Sequence, residues 1–508
     1  MQKISFSGRL VVIGCGGVAQ CTIPVLLKHI DMPREKITVI DMIDMRHSIQ
    51  SALDAGVNFV QEKITQEKMG EQLGTYLSEG DILLDLAWNI DCCEILQWCH
   101  DHDVRYINTS VEVWDPYTDA DKKTPQERTL YPRHMAIRKM IGSWATKGPT
   151  AIIEHGANPG LVSHFTKKAL VDIATKFLKD KPDDPRRSSI ERELDTHTFN
   201  RLAHTLGVRV IHVSEIDTQM SKIKHNPNVF ANTWSVEGFR EEGIAPAEMG
   251  WGTHEKTLPE NARDHSHGPQ NQICLDSFGI DTYVRSRVPS REITGMVVRH
   301  GESFTISDYL TVWDKNAAVY RPTVHYAYCP CKEAWACLAD MRDRGYQLQE
   351  MWRIMDDDIL PHGVDELGVL LMGHDYESWW TGSVLSIDET RKLVPHQNAT
   401  TLQVAASILS ALHWMMKNPN EGVLVPDQLP FEEILDIAKP YLGTILSEPI
   451  KWTPTGKAAT GDDTWQFNNF LLKGEKLHLR AVQVFSVPGK KGKTLKEVGV
   501  KKTMKKGV

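Results

Sequence analysis

Residues 9–19, RLVVIGCGGVA, form an apolar run that stops on Gly14-Cys15-Gly16-Gly17-Val18-Ala19, and a second apolar run, 37–41, ends on an acid, Asp41. This pairing fixes more of the fold than any other feature of the chain. It predicts a strand, a glycine turn, a helix and a second strand, the unit that grips a dinucleotide. Gly14 permits the tight turn, Gly16 lets the main chain approach a pyrophosphate, and Ala19 takes the third small position, where helix packs closely on strand. Gly17 and Val18 open the helix, whose N-terminus offers free N–H groups and partial positive charge to phosphates. The Asp41 carboxylate is placed to accept hydrogen bonds from both ribose hydroxyls and to repel a 2′-phosphate. NAD is therefore expected over NADP, with Arg46 close enough to bear on that choice.

A chain of 508 residues can bury a large core and ordinarily divides into two or three domains. Its formal charge of −8 disfavours a nucleic-acid partner and an anionic membrane surface. No run is apolar enough to span a bilayer, since Asp85 and Asn89 interrupt even residues 82–90. Polar residues follow Met1 directly, so no secretory signal is expected and the protein is expected in the cytoplasm. The nine cysteines lack the spacing of a zinc knuckle or a disulfide framework. His325, Cys329, Cys331 and Cys337 read as buried groups in a reducing compartment, and no metal is expected.

The first 150 residues alternate as strands (9–14, 37–41, 57–60, 82–87, 105–108, then 151–155) and helices (18–30, 67–78, 91–102, 132–146). This is the pattern of an α/β, doubly wound parallel sheet, whose ligands lie beyond the strand C-termini. Two strand ends carry chemistry: Asp85-Leu-Ala87-Trp88-Asn89 and Asn108-Thr109-Ser110-Val-Glu112. His155-Gly-Ala-Asn158-Pro159-Gly160 follows, with Asn158 suited to cap a helix and Pro159 to its first position. That helix should bury Leu161, Phe165, Ala169, Ile173 and Phe177. Residues 179–192 look like a solvated loop, and 208–213, 293–299 and 302–307 look like strands. The expected division is a dinucleotide-binding domain over 1–150, an α+β substrate and dimerisation domain over 151–395, and a helical return over 396–485. A lysine-rich tail occupies 486–508.

The segment from Asn232 to Gly243, NTWSVEGFREEG, is dense in acids around Trp234, namely Glu237, Glu241 and Glu242. Glu215 precedes it, and Asp356-Asp357-Asp358 and Asp365-Glu366 come later. A keto- or amino-acid substrate would demand cationic clamps, normally arginine. Carboxylates around an indole instead suit a cation, which can sit over the ring for about 0.5–2 kcal/mol. Composition alone reads slightly better as solvated acids and a core tryptophan.

With the glycine turn, the Asn158-Pro159-Gly160 helix start and NTWSVEGFREEG, the chain from 8 to about 485 resembles the bacterial homospermidine synthases. These belong to the saccharopine-dehydrogenase-like Rossmann enzymes. The resemblance implies a redox-neutral, NAD-dependent transferase. One amine of putrescine is oxidised to an imine, which loses ammonia and exchanges with a second putrescine. The same cofactor returns the electrons, giving homospermidine. Spermidine can replace the donor, releasing 1,3-diaminopropane.

The resemblance also implies roles. Trp234 stacks on the cationic imine, Glu215 and Asp365 anchor ammonium groups, and Glu242 and His300 line the chamber. Glu112 and Asn158 lie between nicotinamide and diamine, while Ala87, Trp88, Asn89, Thr109, Ser110 and Asn158 accompany Gly14, Gly16, Gly17, Val18 and Asp41 around the cofactor. A cytoplasmic homodimer acting on small polyamines, with no nucleic-acid or membrane partner, is expected. A saccharopine- or carboxynorspermidine-type NAD(P)-dependent dehydrogenase would need arginines for a substrate carboxylate. A non-catalytic NAD-binding protein would act on no diamine.

Overall fold

The computed structural model describes residues 3–473, so the lysine-rich tail over 486–508 and the end of the 396–485 segment lie outside the described residues. The N-terminal strands are β1 (Leu10–Ile13), β2 (Ile37–Asp41), β3 (Asn58–Gln61), β4 (Ile82–Asp85), β5 (Arg105–Asn108) and β6 (Ala151–Ile152). They pair in parallel in the order β6-β5-β4-β1-β2-β3, with a late strand, Val423–Leu424, added beside β6. Helices α1 (Gly17–His29), α2 (Met69–Tyr76), α3 (Cys92–Asp101) and α4 (Leu130–Ile141) connect them. Apolar residues fill β1 and β4 without alternation because both faces of these strands are buried. The order reverses between β1 and β4, which opens a crevice at their C-terminal ends.

Helix α5 (Leu161–Asp180) leads to the second domain, and the five residues expected on its buried face are all inside. Among the described residues the second sheet has ten strands, including β7 (Val210–Asp217), β8 (Thr323–Cys329), β9 (Val364–Met372) and β10 (Ser378–Ser386). β7 runs parallel to β8 and antiparallel to β9, so the domain is a mixed α+β unit. After α8 (Ala399–Lys417), Val423–Leu424 joins the first sheet and Thr444–Ile450 pairs with β10 in the second. Helix α5 packs on β9 and β10, and α8 packs on α1. One apolar core therefore runs from Leu10 and Val12 through both helices to Val369 and Leu371.

Three local expectations change. Residues 302–307 lie in a helix, α7 (Glu302–Tyr309), rather than a strand. Their Ser-Phe-Thr-Ile-Ser alternation imitates period two, yet residues 302–307 are all buried. Ser303 Oγ donates to His300 O at 2.9 Å and Ser307 Oγ to Asn271 O at 3.4 Å, so both serine hydroxyls find partners inside the protein and the helix presents no polar face to solvent. The proline-broken loop shortens, because Arg187–Asp195 is helical and buries Ile190. Asn158 does not cap α5: Gly160 holds the cap position at φ +131°, and the Asn158 amide turns toward Glu215.

The glycine turn separates two requirements. Gly14 has φ +89°, and a Cβ there would stand 2.7 Å from the Leu86 carbonyl oxygen at the end of β4. A Cβ on Gly16 would meet no protein atom within 4 Å, so protein packing places no demand on that glycine. Gly14→Ala should therefore lower stability by more than about 1 kcal/mol. Gly16→Ala should fold normally and lose dinucleotide affinity at least tenfold. Thermal unfolding together with fluorescence titration of a dinucleotide checks both, and tight binding by Gly16→Ala would remove Gly16 from the phosphate cradle.

Candidate active site

The first sheet delivers its strand ends to one crevice through a buried polar network. Asp85 accepts from Ala87 N at 3.1 Å and from Tyr106 Oη at 2.9 Å. Asn108 donates to Tyr106 Oη at 3.0 Å and accepts from Glu154 N at 2.7 Å. Burial lifts the Asp85 carboxyl to about 6. These bonds hold the loops after β4, β5 and β6 in fixed relation. On the opposite side Asp41 accepts from Cys15 N at 2.6 Å and from Ile43 N at 2.8 Å, fastening the glycine turn to the end of β2. Arg46 is committed to Asp44 at 3.0 Å and to the face of Phe59.

The crevice continues into a cavity between the two domains. Val18, Ala87, Trp88, Thr109, Ser110, Glu112 and Asn158 line it from the first domain and the start of α5. Glu215, Trp234, Glu242 and His300 line it from the second. The structure thus brings these residues, which the resemblance placed around cofactor and diamine, onto one wall. Gly14, Gly16, Gly17, Asp41, Asn89 and Asp365 are not on it. Asn89 sits beside Trp88 with φ +63°, and Asp365 lies one layer behind, accepting a hydrogen bond from the wall residue Thr400.

Sequence reasoning missed Tyr326 and Thr400. Tyr326 lies on β8, and its hydroxyl donates to Glu215 Oε2, which also accepts from Asn158 Nδ2 at 3.0 Å. The Tyr326–Tyr328 alternation on one strand face was the available signal.

The acids around Trp234 divide into two kinds. Glu241, on α6 (Val236–Gly243), accepts from Arg133 at 2.7 Å and is also bonded by buried Arg299. Burial would raise its pKa, but the two guanidinium groups hold it well below the carboxylate range. Glu241 is therefore a spent charge that clamps α6 to α4, which corrects its place among the free acids of this segment. Asp358 is similarly tied to Arg353 at 2.8 Å.

Glu112, Glu215 and Asp365 form the second kind. Burial pushes the pKa of each up, with Glu241 adding to Glu112, and with neighbouring carboxylates adding to Glu215 and Asp365. Glu112 accepts from Ser110 Oγ at 2.7 Å through one oxygen, while Oε2 and Asp365 Oδ1 are buried without a hydrogen-bond partner.

His300 bridges Glu242 (Nε2–Oε2 3.0 Å) and Glu302 (Nδ1–Oε2 3.4 Å). Burial opposes its charge, but these two acids overcome it and hold the imidazole well above its ordinary pKa. Trp234 is half-buried, and its Nε1 donates to Tyr328 Oη at 2.9 Å, which fixes one edge of the indole. The cysteines considered beside His325 are buried, and burial pushes the Cys329 thiol up to about 12. Among the described residues, no group of three or more His, Cys, Asp and Glu is placed to hold a metal ion, and no helix is long and apolar enough to cross a membrane.

A dinucleotide crevice opening onto a chamber walled by an indole and acids defines the class, a Rossmann protein of the NAD(P)-binding type. The saccharopine dehydrogenase NADP-binding domain family matches residues 10–152, and the saccharopine dehydrogenase C-terminal domain family matches 156–450. The homospermidine synthase of Blastochloris viridis is 39% identical over 482 residues, covering 92% of this chain and 98% of that protein. That of Mesorhizobium japonicum is 37% identical, covering 92% and 97%. The crystal structure of the Legionella pneumophila homospermidine synthase in complex with NAD is 35% identical, covers 93% of this chain and 100% of its own, and superposes with a TM-score of 0.82. The chain belongs to the homospermidine synthase family of saccharopine-dehydrogenase-like proteins.

The two kinds of acid separate experimentally. Glu241→Gln leaves the buried Arg299 and the partly buried Arg133 guanidinium groups with less negative charge and should destabilise the protein by about 3–5 kcal/mol. Glu242→Gln should cost much less stability while lowering activity. Denaturant unfolding compared with turnover checks the pair, and equal stability losses would cancel the distinction.

Proposed function

We propose that the protein is a homospermidine synthase, transferring an aminobutyl group from putrescine or spermidine to putrescine and releasing ammonia or 1,3-diaminopropane. The observation that carries this reading is the lining of the chamber: Trp234, Glu112, Glu215 and Glu242 stand on it, and among the described residues that line it there is no lysine or arginine. The nearby guanidinium groups of Arg133 and Arg299 are engaged by Glu241. A chamber of this kind favours an alkylammonium over a substrate carboxylate, which weighs against a saccharopine-type dehydrogenase.

The glycine turn, the open space beside Gly16 and the Asp41 carboxylate fit NAD. Arg46, tied to Asp44, gives a 2′-phosphate no free partner of its own. When bound, NAD supplies a reversible two-electron acceptor at its nicotinamide. Everything else falls to side chains. Glu215 holds the terminal ammonium, supported by Asp365 one layer behind. Trp234 faces the cationic imine with its ring. Glu112, whose burial raises its pKa toward neutrality, takes up the proton that an alkylammonium must lose before its carbon can be oxidised. His300, held as an imidazolium between Glu242 and Glu302, keeps a proton at the chamber wall for the leaving amine. Asn158, bonded to Glu215, orients the diamine between the two domains.

We assign residues 1–150 to cofactor binding, 151–395 to substrate binding and dimerisation, and the segment from 396 to closing the two together. A cytoplasmic homodimer fits this role.

If the cofactor cycles within the site, putrescine with trace NAD should give homospermidine and ammonia far beyond the NAD supplied, while bulk NADH absorbance barely rises. Mass spectrometry of the polyamines reads this, and product limited to the NAD added would favour a dehydrogenase instead.

Trp234→Ala should lower kcat/KM by roughly 10- to 30-fold, the equivalent of up to about 2 kcal/mol of cation–π attraction. Trp234→Phe should lose less, with NAD binding and Tm kept in both. Full activity in a stable Trp234→Ala protein would remove the indole from the mechanism.

A further inference from the structure

The chamber wall rests on a row of acids deeper than the cavity itself. Glu215 and Asp217 point to the same face of β7, being two residues apart on one strand. Asp365 on β9 lies directly opposite Asp217 in the antiparallel register. Directly opposed residues hold their Cβ atoms about 4.5–5.5 Å apart, so the three carboxylates share one patch. Glu215 is 3% exposed and Asp217 and Asp365 are 0% exposed, so solvent does not screen their mutual repulsion.

Asp217 is also built into the wall. Its Oδ1 accepts from Gln219 N at 2.8 Å and its Oδ2 accepts from Thr233 Oγ1 at 2.7 Å, the residue next to Trp234. The charged and titratable groups facing the row are Tyr326, Tyr328 and Cys329 from β8, His300, and, around Asp217 and Asp365, Cys331, Glu333 and Glu366. Of these only His300 is cationic, and it is already bridged by Glu242 and Glu302. Three buried acids that face chiefly one another are tolerated only if a cation arrives or protons remain bound.

We infer that Asp217 is a positioning residue of the ammonium subsite, a third carboxylate that acts on the substrate through Glu215 and Asp365 without touching it. The inference rests on the diamine reading above and extends it by one residue. The negative charge of Asp217 disfavours ionisation of its two neighbours, so the row holds protons to a higher pH than Glu215 and Asp365 would alone. When the terminal ammonium enters, its charge favours full ionisation and the row binds it more tightly than two acids could.

The test is the pH profile of kcat/KM for putrescine with saturating NAD, comparing the unmodified protein with Asp217→Asn. The amide keeps the shape and can still accept from Gln219. Removing the charge lowers the pKa of Glu215 and Asp365, so these acids stay ionised to lower pH. The acidic limb of kcat/KM should then move down by about 0.5–1 pH unit. At neutral pH the KM for putrescine should rise roughly fivefold, a change of about 1 kcal/mol, with kcat and Tm little altered. A purely structural Asp217 would change stability or kcat and leave the limb in place.

Should Asp217→Asn fail to fold, Thr233→Val serves instead. It removes a bond that favours the charged form of Asp217, and it should move the limb in the same direction by a smaller amount. An unmoved limb in whichever variant folds overturns this inference alone, provided the unmodified protein makes homospermidine. An unmodified protein that makes none overturns the diamine reading and this inference with it.

Discussion

A carboxylate taken out of water must find a positive charge, give up its ionisation, or wait for a charged ligand, and this constraint orders the whole site. The protein uses the first solution at two places and the third at another. Glu241 is neutralised by Arg133 and Arg299, and the resulting triad clamps α6 against the first domain. Glu242 and Glu302 share the His300 imidazolium. Glu112, Glu215 and Asp365 are left to the third solution, beside an indole whose face also attracts cations. The charge character of the chamber then follows from what the protein has already paired and what it has left unpaired.

The fold makes that arrangement possible by stacking two sheets on a shared pair of helices. Helix α8 packs on α1, which begins in the glycine turn, and α5 packs on β9 and β10, beside the strands that carry the buried acids. The C-terminal segment adds a strand to each sheet. Cofactor turn and acid row are therefore parts of one packed core. A chamber between them can be walled from both sides, and relative movement of the sheets would have to disrupt buried apolar contacts on α5 and α8.

The sequence carried the nucleotide half clearly, because the glycine turn obeys local rules. Gly14 needs a positive φ, and Asp41 follows at the distance set by one helix and one strand. The second domain was legible in part. Strand β7 was legible, with Glu215 at the end of the run 208–217, but nothing local told that its acids would be buried. Residues 302–307 imitated a strand, because a helix buried on all sides has no polar face to betray its period. Asn158 carried a cap signal that the fold spends on Glu215 instead.

Sequence by itself determined that this chain grips a dinucleotide and that acids gather around Trp234, for glycine spacing and residue type are local properties. Which acids are free was decided only by the tertiary structure. Glu241 and Glu242 are neighbours in the chain, yet one faces Arg133 and Arg299 and the other faces His300. Glu215, Asp217 and Asp365 come together through strand register across about 150 residues of chain. A carboxylate's proton affinity depends on the charges and water within a few ångströms of it, and those neighbours come from distant segments that only the folded chain assembles.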